Sequence, residues 1–288
     1  MRLEIIKETF ADYSKRYWKF WAVLYVFTVL AEVMREIYLE RVAIYLSGIT
    51  YNPVILFNLL IREMLASPVV FLAVAGGVLF NLWGFASLYF LFSGASFIKS
   101  ASEGLKHILS YFGLVVAGGI IVFAGFLVLA MPILLLLNAF LGDSLNPNVA
   151  MAIFLAFGIP GWWLLVSFSV APFILLLEKR KIFNALRESY RRVSFALWQT
   201  IQTLIVAFVM SAAAYYALSW IIFSLKLIFI QDLSFRGETS LRIFVYSIPW
   251  VVVASFFDLA VYRIYLRLKP LSDSLPSENE AIRKDFLG

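Results

Sequence analysis

The sequence predicts an all-α protein: a polytopic transmembrane helical bundle of about six spans, N-in/C-in, with a cytoplasmic amphipathic helix between spans 4 and 5. Three observations predict it. Of 288 residues, 62% are hydrophobic and only 15% charged, against roughly half and a quarter in a soluble globular protein. Several apolar runs exceed the roughly 18 residues that mark a candidate span. The 24 Lys and Arg residues divide 18 to 6 between alternate ends of those runs, the asymmetry that sets orientation under the positive-inside rule.

In chain order, the first 19 residues mix Arg2, Lys7, Lys15, Arg16 and Lys19 with Glu4, Glu8 and Asp12. No small-residue cleavage pattern follows, so no cleaved signal peptide is expected. Six apolar segments then fall at about 20–44, 68–97, 108–137, 149–177, 197–225 and 243–266. Each is long enough for a hydrocarbon core of roughly 30 Å. Helices are required, because strands of a membrane barrel would alternate with period two. Between the first two, Asn52-Pro53 reads as a cap and first turn of a short interfacial helix running to about Leu65. One transmembrane domain is expected over 1–269, followed by a polar tail over 270–288 with Pro276, Ser277, Glu278 and Glu280.

The densest charge lies between the fourth and fifth segments. There Ile182, Phe183, Leu186, Tyr190, Val193 and Leu197 recur at helical spacing, the pattern of an amphipathic helix lying on a membrane surface. Lys179, Arg180, Lys181, Arg187, Arg191 and Arg192 are the candidate contacts to anionic lipid headgroups. A fainter echo precedes the third segment, where Gly104-Leu105-Lys106-His107 leads into Ser110-Tyr111-Phe112 much as Ala185-Leu186-Arg187-Glu188 leads into Val193-Ser194-Phe195. Two parallel repeats, each a cytoplasmic helix feeding a span, would produce that echo.

Ionisable residues at the span edges are Glu32, Arg35 and Glu36 in the first segment and Asp258 and Arg263 in the last. Glu32, Arg35 and Glu36 share one helical face, and their distance along the helix puts them near the outer boundary as a membrane-edge cluster. Asp258 falls close to the cytoplasmic end, with Tyr262 or Arg263 as expected partners. Gly77, Asn81, Gly84 and Leu88 form one stripe, and Gly113, Ala117 and Ala124 another, through which helices can approach closely. Pro132, Gly158-Ile159-Pro160-Gly161, Pro172 and Pro249 are expected to kink or unwind their helices.

Composition excludes several chemistries. With no Cys and one His, His107, thiolate and histidine metal sites lack ligands, and no metal or cofactor is expected. The net charge of +6 is spread along span ends rather than over one basic face, so lipid headgroups rather than nucleic acid are the expected counter-charge. No phosphate loop, nucleophile elbow or zinc-protease pair appears.

The run Ala171-Pro172-Phe173-Ile174-Leu175-Leu176-Leu177-Glu178, then Ala185-Leu186-Arg187-Glu188-Ser189-Tyr190-Arg191-Arg192 and Trp198, resembles the membrane domain found beside some glycerophosphodiester phosphodiesterases and its stand-alone six-helix relatives. The resemblance covers roughly 85–210. It implies an architecture and a lipid connection. The phosphodiesterase reaction of the fused proteins belongs to a separate soluble barrel, which this chain has no polar segment to form. The expectation is a non-enzymatic, multi-pass protein of the cell membrane, a scaffold or accessory in envelope or lipid-related processes. The alternative is a small-solute or lipid permease subunit using kinked spans 3, 4 and 6.

Overall fold

The computed structural model describes residues 2–46, 62, 66–141, 147–229 and 243–273, and the regular structure among them is helical throughout. The helices are α1 (Arg2–Leu46), α2 (Pro68–Phe92), α3 (Phe97–Lys106), α4 (Ile108–Leu141), α5 (Pro147–Phe157), α6 (Ile159–Ser167), α7 (Ala171–Leu177), α8 (Ile182–Phe195), α9 (Leu197–Phe229) and α10 (Ser247–Asp273). Four stretches among the described residues are long and apolar enough to cross a membrane: Pro68–Phe92, Ile108–Leu137, Ile159–Leu177 and Leu197–Leu225. By length and composition these stretches are compatible with a multi-pass membrane protein. The short helix expected over 53–65 lies outside the described residues, Arg62 apart.

Several expected boundaries move. The second apolar segment ends at Phe92 rather than 97, because Ser93 caps the helix and Gly94 takes φ +94°, a conformation open to glycine at little cost. Phe97 instead begins α3. The fourth segment is three short helices, broken at Gly158 and again before Ala171, where Gly and Pro were expected to interrupt it. Pro132, by contrast, sits inside a continuous α4. Pro249 falls in the first turn of α10, where a missing N–H leaves no helical bond unmade. Helix α10 continues through Pro270 to Asp273, into the stretch expected to be tail.

The chain forms two compact units from separated segments: one within Met1–Thr9, Leu109–Ala207 and Leu259–Gly288, the other within Phe10–Ile108 and Phe208–Asp258. In the second unit the glycine stripe of α2 faces α1. A Cβ on Gly84 would lie 2.8 Å from Phe27 Cβ, and one on Gly77 would lie 3.5 Å from the Ala31 carbonyl oxygen. Small residues there let two helices meet backbone to side chain. Helix α3 packs on α2 by the same device: a Cβ on Gly104 would reach the Ser87 backbone nitrogen at 2.9 Å. The indole N–H of Trp83 donates to the Ala101 carbonyl at 2.7 Å.

In the first unit α4 receives α8. A Cβ on Gly113 would lie 2.7 Å from Ile182 Cδ1, and one on Gly118 would lie 3.6 Å from Leu186 Cδ2. The break at Gly158 also admits a ring, since Cβ atoms on Gly158 and Gly161 would both run into Phe126. Phe126 in turn packs edge-on to Trp162 at 5.2 Å. The glycines therefore serve packing. In the same unit Phe173 is buried, stacks on Tyr265 at 5.5 Å and meets Tyr262 at a tilt at 5.4 Å.

Candidate functional site

The turn between α7 and α8, in the first unit, gathers a buried charge network. Helix α7 ends at Glu178, Lys179 takes φ +55° to reverse the chain, and α8 begins at Ile182. Because Ala185, Ser189 and Arg192 lie four and three residues apart, they share one face of α8, and all three are buried. The Ser189 hydroxyl donates to the Ser167 carbonyl at 2.7 Å, and Arg192 follows it inward. Its Nη1 and Nη2 donate to the two Glu178 oxygens at 2.6 and 2.9 Å, and its Nε donates to Glu188 Oε1 at 2.7 Å. The Tyr265 hydroxyl adds a 3.1 Å bond to Glu178 Oε1. Such forked Arg–carboxylate geometry is directional as well as strong.

The electrostatics of the pair follow from competition between burial and charge. Burial alone would raise the Glu188 carboxyl, but hydrogen bonds and charge from Arg191 and Arg192 outweigh it and hold the group below the usual carboxylate range. Burial alone would lower the Arg192 guanidinium, and Glu178 and Glu188 hold it above its ordinary value instead.

The six expected headgroup contacts therefore separate. Lys179, Arg180, Lys181 and Arg187 are exposed. Arg191 is half-buried and donates to Glu188 Oε1 at 2.9 Å. Arg192 is only 4% exposed and faces carboxylates of its own chain, so its place is in the interior rather than among headgroups. The apolar residues separate too. Ile182 and Leu186 meet the glycines of α4, while Phe183, 71% exposed, and Tyr190 face outward. The outward face of α8 is thus Phe183, Arg187 and Tyr190, spaced four and three apart.

The membrane-edge charges lie in the second unit. Arg35 pairs with Glu32 and lies 3.9 Å from Glu36, which is buried. A cavity of about 340 Å³ next to them is bordered by Thr28, Glu32, Arg35, Tyr215, Tyr246, Ser247 and Trp250. Asp258 is not brought to this cluster. It borders a different, mostly apolar cavity of about 500 Å³, shared with Phe85, Phe208, Ser211, Tyr215, Tyr216, Trp250 and Phe257 among others. Among the described residues Asp258 Oδ2 is buried without a hydrogen-bond partner. Of its two expected partners, Arg263 belongs to the first unit and lies 3.8 Å from Glu8 of that same unit.

Among the described residues no group of three or more His, Cys, Asp and Glu could hold a metal ion. His107 lies 4.0 Å from Glu103 and packs near the Phe90 ring. Sequence reasoning missed Glu178 and Tyr265 as partners of the basic helix. The signal was the small-residue face of α8: Ala185 and Ser189 mark the packed side, and Arg192 continues their line. Compared with known proteins, the chain matches no family profile, and no curated protein or solved structure is significantly similar to it.

Proposed function

We propose that this chain is a non-enzymatic integral membrane protein of the cell membrane, with six spans and both ends cytoplasmic. It works at the lipid surface as a scaffold or accessory in envelope or lipid-related processes. The observation that carries this reading is the outward face of α8. Phe183 and Tyr190 are exposed apolar side chains flanking an exposed Arg187, and Lys179, Arg180 and Lys181 stand exposed on the turn before them. Aromatic rings enter the headgroup boundary, and each basic residue near an anionic surface contributes about 1 kcal/mol. The resemblance to the phosphodiesterase-linked membrane domain supports the lipid connection. It brings no catalysis, and the chain's single His and lack of Cys motivate reading it as carrying no turnover of its own.

The test is retention of phosphatidylglycerol against phosphatidylcholine by the purified full-length chain, followed by native mass spectrometry at low and moderate ionic strength. Replacing Lys179, Arg180, Lys181 and Arg187 together by Gln should reduce the preference at least tenfold at low salt. Screening over a Debye length of about 8 Å should narrow that difference at physiological salt. An unchanged preference in a correctly inserted variant sinks the reading. Orientation is checked separately in this Cys-free chain. A single Cys at exposed Asn184 should label from the side opposite to a Cys at Ser234, and labelling from the same side refutes six spans. Asn184 is chosen because Ser189, on the same helix, is buried.

One observation favours the permease alternative, the cavity of about 500 Å³ in the second unit. Its walls come from α2, α9 and α10. Of the kinked spans 3, 4 and 6, it uses only the sixth.

A further inference from the structure

We propose that the apolar cavity of the second unit is a binding site for a hydrophobic organic cation, with the positive centre held opposite Asp258 and the apolar body against the surrounding rings. The inference is independent of the α8 surface. It starts from two polar atoms that the fold leaves unsatisfied in one place. Among the described residues, Asp258 Oδ2 and Ser211 Oγ are both buried without hydrogen-bond partners, and both residues border the same cavity. Buried carboxylates are rarely left unpaired, because removing the charge from water costs several kcal/mol unless a counter-charge or donor replaces it.

The chemistry of the lining selects the sign of the ligand. A carboxylate only accepts hydrogen bonds, so Asp258 asks for a cation or a donor and repels an anion. Tyr215, Tyr216 and Trp250 line the same space, and the faces of such rings attract a positive centre, most strongly when it is desolvated. The neighbouring polar cavity does not compete for this role. Its acid, Glu32, is already paired with Arg35. Size agrees, since about 500 Å³ lies within the roughly 300–1,000 Å³ of small-molecule sites. Access agrees as well. Tyr216 and Trp250 are exposed on the helix surface, so a ligand that first dissolves in the membrane can enter sideways.

The probes are tetraphenylphosphonium and tetraphenylborate, which share shape and size and differ in sign. Full-length protein in zwitterionic nanodiscs at pH 8 is dialysed against each labelled ion, with protein-free nanodiscs subtracted. The expected result is saturable binding of the phosphonium, at least tenfold tighter than that of the borate. Asp258→Asn should weaken phosphonium binding tenfold or more, and Trp250→Ala should weaken it as well. Saturable borate binding of equal strength, no saturable phosphonium binding, or unchanged binding by a folded Asp258→Asn overturns the proposal. If Asp258→Asn does not remain monodisperse, the wild-type comparison of the two ions decides alone, and a ratio near one overturns it.

Discussion

Replacing Arg192 by Met tests whether the α7–α8 turn is held by its buried charges. The side chain is 4% exposed and makes three charge-assisted bonds of 2.6, 2.7 and 2.9 Å to Glu178 and Glu188. Met keeps much of the volume but leaves two carboxylates, 13% and 19% exposed, without their main counter-charge. Arg191 remains near Glu188 and Tyr265 near Glu178, so the loss is expected within the range for breaking one side of a buried pair, about 3–5 kcal/mol. At roughly 2–4 °C per kcal/mol for a chain of this size class, the Tm in detergent should fall by roughly 6–20 °C. The double variant Glu178→Gln with Arg192→Met should recover part of that loss, because it removes the stranded charge together with its partner. A cycle of wild type, both single variants and the double variant then gives a coupling of about 1.5 kcal/mol or more. A fall below about 1 kcal/mol for Arg192→Met, or a cycle with no coupling, refutes the argument that this network holds the turn.

Two further outcomes follow from the same unit. Gly161→Ala should destabilise by about 1–3 kcal/mol through overpacking, because the new Cβ would run into the Phe126 ring. Combining it with Phe126→Leu should recover part of the loss in a thermal melt, and no recovery would mean that Phe126 is not the obstacle. Glu188 supplies a pH dependence whose sign is fixed by its lowered pKa. Its contribution is present above the ordinary value of about 4.5 and is lost as pH falls below that toward the lowered value. Melting curves between pH 6 and pH 3 should therefore show a smaller drop for Glu188→Gln than for wild type.

The helical class and the apolar segments were legible because they depend on composition and run length, which the chain states directly. Their ends were less legible where a single residue decides. Residues 93–97 read as more apolar helix, yet Ser93 and Gly94 together terminate it. Pro132 and Pro249 looked alike as breakers, but one sits within a helix and the other in a first turn. The glycine stripes were legible as close-approach surfaces. What they approach was not, since nothing in the spacing of Gly113, Ala117 and Ala124 names Ile182 as the side chain that meets Gly113, and Gly118, which meets Leu186, lies outside that stripe. Helices α3 and α8 each pack through a small residue, Gly104 against Ser87 and Ser189 against Ser167, but the sequence echo aligns Gly104 with Ala185, so these contacts do not correspond.

The candidate site shows the same division between faces and partners. Periodicity placed Arg187, Arg191 and Arg192 largely off the apolar stripe of α8, together on one basic surface. Packing instead sorts them by neighbours: Arg192 continues the buried line of Ala185 and Ser189, while Arg187 continues the exposed line of Phe183. Once Arg192 turns inward, Glu188 on its own helix accepts the Nε hydrogen bond, and the two Nη groups are met by Glu178, which stands there because the reversal at Lys179 folds the end of α7 back along α8. Asp258 fails in the opposite sense. Tyr262 and Arg263 were its expected partners from their nearness along α10, but Arg263 lies against Glu8, and among the described residues Asp258 Oδ2 has no hydrogen-bond partner. An acid that the fold leaves unmatched beside a ring-lined cavity is what a ligand of opposite charge would complete, so the missing partner becomes the property that the phosphonium experiment reads.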